Sequence, residues 1–163
     1  MKFIIALLFF PLMCMAQNFE LKIPDNSKLQ KWCKENQSEM EVYAYLNLNF
    51  KATSPKMNTK YEDYDDGNGN PVLCSFNQYF EHNISYEEKS CGEASGISVL
   101  ITLPKTKKEN LIKWIEAINK PIEGIDENQW NENHTAYEPD GAGCYYTIKD
   151  ANDKWIIEIY CGC

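Results

Sequence analysis

The sequence predicts an α+β fold, in which a mainly antiparallel sheet of about five strands packs against two helices and is braced by disulfides. Three observations predict this fold. Two segments carry apolar residues at helical spacing, several others alternate apolar and polar residues, and six cysteines follow the apolar N-terminal segment. In chain order the pattern gives a helix, three strands, a second helix and a terminal pair of strands, and the length suits one domain.

The first predicted helix covers residues 27–36. Leu29, Trp32 and Cys33 fall on one face of it, and Ser27 with Gln30 has the spacing of a capping box. We therefore expect this face to pack on the core.

The first predicted strand covers residues 41–52, where apolar and polar positions alternate strictly. Val42, Ala44 and Leu46 share one face, which we expect to be buried. Tyr43 and Tyr45 fall on the other face, so the pattern predicts that both tyrosines are exposed on the sheet.

Residues 53–71 contain YEDYDDGNGNP and are predicted to form a loop, because Asp, Gly, Asn and Pro favour turns. The acids Asp65 and Asp66 are expected to face solvent in it. Calcium binding is the alternative function for this loop, but Gly67 would place Tyr64 at the third ligand position of an EF-hand. A solvated turn is therefore the favoured interpretation.

Two more strands are predicted, at 72–85 and 97–103, with a loop between them that holds Glu87 and Glu88. Alternation within the first of these strands places His82 on its buried side. Pro104 ends the second one, since proline cannot donate a ladder hydrogen bond.

The second predicted helix covers residues 106–119 and opens with Thr106 and Glu109 as a capping box. A long irregular segment, 122–143, follows it and carries Trp130, His134 and Tyr137 among acidic residues. Irregular segments of this length are often functional in compact domains. The acids of interest there are Glu123, Asp126 and Glu127.

The last predicted element is a hairpin with its turn at Asn152 and Asp153. This turn places Ile148 opposite Ile157 on an apolar face. By the same register Cys144 faces Cys161, and Tyr145 faces Tyr160 on the outward side. A slip of one residue would exchange the two faces, so the pattern favours this register.

Residues 1–16 are predicted to be a cleaved signal peptide, because one lysine precedes a short apolar run that ends at small residues. A lipid-bearing Cys14 is the weaker alternative. Residues 17–163 would then be a single disulfide-stabilised domain in the periplasm or outside the cell. An even number of cysteines in an exported chain predicts three disulfides, whose pairing the sequence leaves open. The six cysteines are Cys33, Cys74, Cys91, Cys144, Cys161 and Cys163.

The chain carries a net charge of −8 and contains no arginine. An acidic surface repels nucleic-acid phosphates, and no later segment is apolar enough to span a membrane. The charge instead favours a protein partner with a basic surface.

Catalytic signals are weak, and we expect a binding protein more than an enzyme. Cysteines held in disulfides cannot act as nucleophiles, and no motif for a metal or a cofactor is present. A small exported hydrolase that uses His134 with loop carboxylates remains the catalytic alternative.

Tyrosine, tryptophan and loop acids supply the predicted partner-binding surface, because aromatic side chains anchor protein interfaces and acids steer basic partners. Its predicted members are Tyr43, Tyr45, Asp65, Asp66, Glu123, Asp126, Glu127, Trp130, Tyr137, Tyr145 and Tyr160. The expected function is that of a periplasmic inhibitor or immunity protein, which neutralises a basic toxin or cell-wall hydrolase by blocking its active site. A structural or adhesin-like surface domain is a third hypothesis.

Overall fold

The computed structural model describes residues 19–38, 40–92, 96–119 and 127–162. The predicted signal peptide at 1–16 lies outside the described residues. So do Glu123, Asp126 and Cys163 among the predicted functional and disulfide residues.

The described residues form an α+β structure with three α-helices and one antiparallel sheet of eight strands. The helices are α1 (Asn26–Asn36), α2 (Glu41–Asn49) and α3 (Lys108–Ile118). The strands are β1 (Met57–Asp65), β2 (Pro71–Phe80), β3 (Ile84–Lys89), β4 (Ile97–Pro104), β5 (Gln129–Trp130), β6 (Ala136–Glu138), β7 (Gly143–Asp150) and β8 (Lys154–Gly162). Across the sheet they follow the order β1-β2-β3-β4-β8-β7-β6-β5. The predicted class is confirmed, whereas the predicted five strands and two helices are too few.

The largest difference lies at residues 41–52, where the predicted strand is wrong and the chain forms α2. All five residues from Val42 to Leu46 are buried, so this helix has no solvent-facing stripe over that stretch. A helix covered on every side loses the 3.6-residue period of burial, and the remaining alternation resembles that of a strand. Asn47 and Asn49 donate side-chain hydrogen bonds to the carbonyl oxygens of Tyr43 and Tyr45, four residues back.

Strand β1 falls within the segment that the sequence predicts to be a loop, because nearly all of its side chains are exposed. It lies at one edge of the sheet, and its pairing with β2 is interrupted by shifts in register. Exposed side chains and irregular pairing are common in edge strands, which must avoid further pairing. A strand of this kind leaves no period-2 hydrophobic signal in the sequence.

The predicted strand at 72–85 is two strands, β2 and β3, joined by a tight turn at Glu81–Asn83. His82 (φ 62°) and Asn83 (φ 59°) have the left-handed backbone that reverses the chain there. His82 is therefore a turn residue, and its predicted place on the buried side of a strand is wrong. The irregular segment before β7 also contains the two short strands β5 and β6.

The β7–β8 hairpin has the predicted register. Ile148 pairs with Ile157, Cys144 with Cys161 and Tyr145 with Tyr160. It does not lie at an edge of the sheet, because β8 pairs with β4 on its other side.

Helices α1 and α3 are confirmed within one or two residues, but their predicted caps are wrong. The N-cap of α1 is Asp25, whose side chain accepts a hydrogen bond from the Lys28 amide. The N-cap of α3 is Lys107, which makes no side-chain capping hydrogen bond. No helix among the described residues combines the length and apolar character needed to cross a membrane.

One face of the sheet packs against the helices and forms the core. Tyr43 of α2 packs edge-on against Phe76 of β2 and at a tilt against Tyr86 of β3, with ring-centroid distances of 5.2 and 4.8 Å. Tyr45 packs edge-on against Trp114 of α3 at 5.3 Å, so α2 is clamped between the sheet and the last helix. Both tyrosines are therefore part of the core.

Among the described residues, two disulfides brace the sheet, Cys74–Cys91 and Cys144–Cys161. The second joins the directly paired residues of the hairpin, which is one of the pairings left open by the sequence. Cys33 forms no disulfide with any cysteine that the structure describes, which differs from the expectation that it takes part in a third disulfide. It lies half-buried on α1, where burial and then the Glu41 carboxylate raise the pKa of the thiol to about 11.

Candidate partner-binding surface

The face of the sheet that points away from the helices is here called the open face. Burial alternates along β8, where Trp155, Ile157 and Ile159 are buried under the helices and Glu158 and Tyr160 are exposed on the other side. An antiparallel sheet with one covered face and one solvated face gives this pattern. The open face is therefore the broad surface on which partner-binding residues can gather.

Strand pairing arranges the open face in rows that run across five strands. One row contains Ser75, Lys89, Ser98, Tyr160 and Tyr145. The neighbouring row contains Asn77, Glu87, Leu100, Glu158 and Thr147. The rows bring together side chains that are up to 85 residues apart in sequence, counting from Ser75 to Tyr160.

A groove of about 430 Å³ crosses the middle of the open face. Ser98 and Leu100 of β4 line its floor. Residues of β3 lie on one side of them and residues of β8 and β7 on the other. These flanking residues are Glu87, Lys89, Glu158, Tyr160, Tyr145 and Thr147. Leu100 and Tyr160 are both 38% exposed, although both are large and apolar in part. The volume of the groove falls within the range of small-ligand pockets.

The two tyrosines of the groove lie side by side, with ring centroids 6.2 Å apart. The Tyr145 hydroxyl donates to the carbonyl oxygen of Gly141, which fixes one ring. The Tyr160 ring lies over Gly162, where a Cβ atom would come within 2.7 Å of the hydroxyl oxygen. These contacts hold both rings in defined positions before any partner binds.

The charged side chains of the groove differ in their pairing. Glu158 accepts from Lys149 at 2.6 Å on the open face. Within the described part of the chain, Glu87 and Lys89 take part in no salt bridge. The Glu87 carboxylate of the groove therefore has no ionic partner among the residues that the structure describes.

Two of the predicted binding residues, Tyr43 and Tyr45, are buried in the core. Tyr43 and Tyr45 are expected from the sequence to be exposed on a strand, but their side chains are 5% and 1% exposed in the core. The Tyr43 hydroxyl donates to the Gln78 side chain at 2.6 Å and the Tyr45 hydroxyl donates to the Lys22 carbonyl oxygen at 2.9 Å. Their predicted role in a partner surface is wrong, because the segment is a buried helix.

Trp130 and Tyr137 lie on the side of the sheet that carries the helices. Tyr137 pairs with Tyr146, whose side chain is buried there, and the Trp130 ring stacks on Tyr137 at 4.7 Å. The Trp130 indole also donates to Glu116 of α3 at 2.9 Å. These two aromatics are half-buried and separate from the open face, and Glu127 is exposed just before β5.

Asp65 and Asp66 lie at the exposed tip of the β1–β2 hairpin. The Asp66 carboxylate accepts from the amides of Asn68 and Asn70 and from the Asn70 side chain. The side-chain bond from Asn70, followed by the backbone bonds, lowers the pKa of Asp66 to about 2. Asp65 accepts from the Gly67 amide at 2.7 Å. These oxygens are used to fold the turn, which favours the solvated turn over a calcium loop.

Sequence reasoning missed two exposed aromatics on this hairpin, Tyr61 and Tyr64, which are 52% and 60% exposed. They lie among acids in YEDYD, and recognition that this segment forms an edge strand would have identified them as exposed. The hairpin therefore presents tyrosines and carboxylates together.

His134 is the candidate base of the hydrolase hypothesis. It lies in the turn between β5 and β6 with φ 50°, and its ring is 5.8 Å from that of Trp130. None of the hydrogen bonds within the described residues joins its imidazole to a carboxylate. His82, the other histidine, packs near Phe19 and Phe50 beside the β2–β3 turn.

Comparisons with known proteins give no relative. No family model matches the chain, and neither a curated protein nor a solved structure shows significant similarity to it. The function is therefore inferred from the residues of this chain alone.

Proposed function

We propose that this protein is an exported, acidic protein-binding module that neutralises a basic toxin or cell-wall hydrolase by covering its active site. The open face is the proposed contact surface. The exposed, pre-positioned aromatic and apolar side chains on that face are the single observation that carries the proposal.

The composition of the open face supports binding to a protein. Tyr79, Leu100 and Tyr160 are 46%, 38% and 38% exposed on a surface that no described helix covers. Tyrosine combines a large apolar ring with a hydrogen-bonding hydroxyl, and it is enriched at interface hot spots. Contiguous exposed apolar area on a small protein commonly marks an interaction site.

The charge of the molecule supports a basic partner. The net charge is −8, and the β1–β2 hairpin presents Asp63, Asp65 and Asp66 at an exposed tip. Carboxylates on a projecting hairpin accelerate encounter with a cationic surface through long-range attraction. The hairpin would steer the partner and the open face would hold it.

The disulfides support function in an oxidising compartment. Two are present in the described chain, and such bonds persist outside the cytosol. Inhibitors of secreted hydrolases and immunity proteins against exported toxins act in such compartments, and rigid, crosslinked scaffolds lose little entropy on binding.

The proposal is tested with purified cationic cell-wall hydrolases, lysozymes among them, and with purified basic secreted toxins. Inhibition and affinity are measured at low and high salt with the disulfide-intact protein. We expect stoichiometric inhibition of at least one enzyme and an affinity that falls about tenfold as salt screens the charges. Salt-independent binding, or no inhibition of any enzyme in the panel, would count against the proposal.

A matched pair of variants locates the contact. Leu100→Lys places a charge in the open-face groove, whereas Leu48→Lys places one at a leucine of similar exposure (44%) on the helical side. We expect Leu100→Lys to weaken inhibition by about tenfold or more and Leu48→Lys to leave it near the wild-type value. Equal effects of the two changes would place the contact elsewhere.

A further inference from the structure

We propose that the groove of the open face receives an arginine side chain of the partner. This inference rests on the proposed function and names the group that the surface recognises. The aliphatic stem of the arginine would lie on Leu100, and its guanidinium would lie between the carboxylates of Glu87 and Glu158.

Strand pairing supplies the geometry. Leu100 is paired with Glu87 on one side and with Glu158 on the other, so the three residues form one row. Directly opposed residues in neighbouring strands are about 5 Å apart, which places the two glutamate Cα atoms about 10 Å apart across Leu100. A planar guanidinium has donors on several edges and can reach a carboxylate on each side.

The apolar part of the row matches an arginine stem. Leu100 is the exposed apolar residue between the two acids, and its side chain is 38% accessible. Arginine buries its methylene groups on apolar surface while its charged end keeps polar contacts. An apolar patch bordered by carboxylates therefore complements both parts of the side chain.

The charges determine where the cation binds. Glu87 has no ion-pair partner among the residues that the structure describes, and Glu158 shares its carboxylate with Lys149 alone. Lys89 lies in the adjacent row beside Ser98, two residues along β3 from Glu87. Its charge disfavours a cation beside Ser98, at the Lys89 end of that row, and leaves the position over Leu100 as the complementary one.

The tyrosines favour arginine over lysine. Tyr145 and Tyr160 form the wall of the groove, with their rings held by Gly141 and Gly162. A guanidinium stacks on aromatic rings and is more weakly hydrated than an ammonium group. The groove thus offers a carboxylate, a stem surface and an aromatic wall in one place.

The test uses two small probes with the folded, disulfide-intact protein: acetyl-arginine methylamide and its neutral isostere, acetyl-citrulline methylamide. Backbone amide shifts are followed by NMR during titration. We expect the arginine probe to shift the amides of Ser98, Leu100 and Glu158 in a saturable way. The citrulline probe should bind about fivefold more weakly, because it lacks the charge.

A matched pair of variants tests the role of Glu87. Glu87→Gln removes the unpaired carboxylate of the groove, whereas Glu132→Gln removes an exposed carboxylate in the β5–β6 turn. We expect the first change to weaken arginine binding about threefold and the second to have no effect. Equal binding of the two probes, shifts outside the groove, or no effect of Glu87→Gln would overturn the inference.

The same variants separate this inference from the proposed function. If enzyme inhibition is lost in Leu100→Lys but is unchanged in Glu87→Gln, the open face binds the partner without an arginine in the groove. If a chitin oligosaccharide shifts the groove amides and the arginine probe does not, the groove binds sugar and the inference is wrong. If the arginine probe binds and no enzyme is inhibited, the proposed function fails while the groove assignment stands.

Discussion

Single residues determine where this chain turns and how closely its strands approach. Gly96 lies just before β4 with φ 67°, beside the end of β8. Its missing side chain allows the Cys161 carbonyl oxygen and the Tyr160 ring to pack against the backbone. One glycine thus helps to position the aromatic wall of the groove.

Gly96→Ala is expected to destabilise the protein by ~2–4 kcal/mol, because strain at positive φ adds to a steric clash. The new Cβ would lie 2.5 Å from the Cys161 carbonyl oxygen. Gly67→Ala is the matched control, since Gly67 has φ 82° but a Cβ added there would meet no atom within 4 Å. Its expected cost is ~1 kcal/mol from backbone strain alone. Chemical denaturation measures both, and equal costs would contradict the close packing at Gly96.

Cys33 is expected to react slowly with thiolate-specific reagents in the native protein. Burial raises its thiol pKa from 9.0 to about 11, so the reactive thiolate is about 100-fold scarcer near neutral pH. Labelling is followed by mass spectrometry with and without denaturant, and Cys33→Ser identifies the signal. Failure of this cysteine to react in denaturant without reductant would show that it is in a disulfide.

At the scale of the elements, α2 is held by specific tertiary contacts more than by amphipathic pattern. The Tyr43 hydroxyl donates to Gln78, which is 8% exposed in β2, and the Gln78 amide donates to the Ser54 carbonyl oxygen. These two hydrogen bonds fix the helix to the sheet and explain how the polar side chain of Gln78 is accommodated in the core.

Tyr43→Phe is expected to destabilise the protein by ~1–2 kcal/mol, because the buried Gln78 oxygen loses its donor. Tyr79→Phe serves as the control, since Tyr79 is 46% exposed and its hydroxyl makes no hydrogen bond among the described residues. Thermal unfolding of both variants provides the comparison. A neutral Tyr43→Phe change would place Tyr43 in solvent, as a strand at 41–52 would require.

At the scale of the whole molecule, exposed aspartates hold the start of one helix and two hairpin turns. Asp25 caps α1, Asp66 closes the β1–β2 turn and Asp150 accepts from Asn152 in the β7–β8 turn. The pKa of Asp25 is lowered to about 2, by Ser27 and then Lys28. The pKa of Asp150 is lowered mainly by its hydrogen bond from Lys105. These hydrogen bonds fix the start of α1 and the turns of two hairpins.

Acidification is expected to lower the free energy of unfolding between about pH 4 and pH 2. The folded pKa values of these aspartates lie below the ordinary aspartate value of 3.8, so each ionised group contributes stability above that pH. That stability is lost as the pH falls through the folded pKa. Denaturant midpoints across this range measure the effect, and replacing the three aspartates by asparagine should flatten the dependence. A wild-type stability that is constant or rises toward pH 2 would contradict it.

Local sequence determined the elements whose burial has a regular period. The β7–β8 hairpin has two faces of matched side chains and a turn of fixed length, so one register satisfies both. Strand β4 and helices α1 and α3 each have one buried side, so their apolar residues recur in the sequence with the period of a strand or a helix. The opposition of Tyr145 and Tyr160, which form one wall of the groove, followed from the same local pattern.

Only the tertiary structure decided the other elements and the composition of the groove. A hydrophobic pattern indicates which positions are buried, but not which element covers them. Val42–Leu46 is covered on all sides by the sheet and its neighbouring helices, so its helical period disappears. Strand β1 is covered on neither side and has no period to read. The Glu87–Leu100–Glu158 row depends on pairings between β3, β4 and β8, and the open face exists because the helices pack on the opposite side of the sheet.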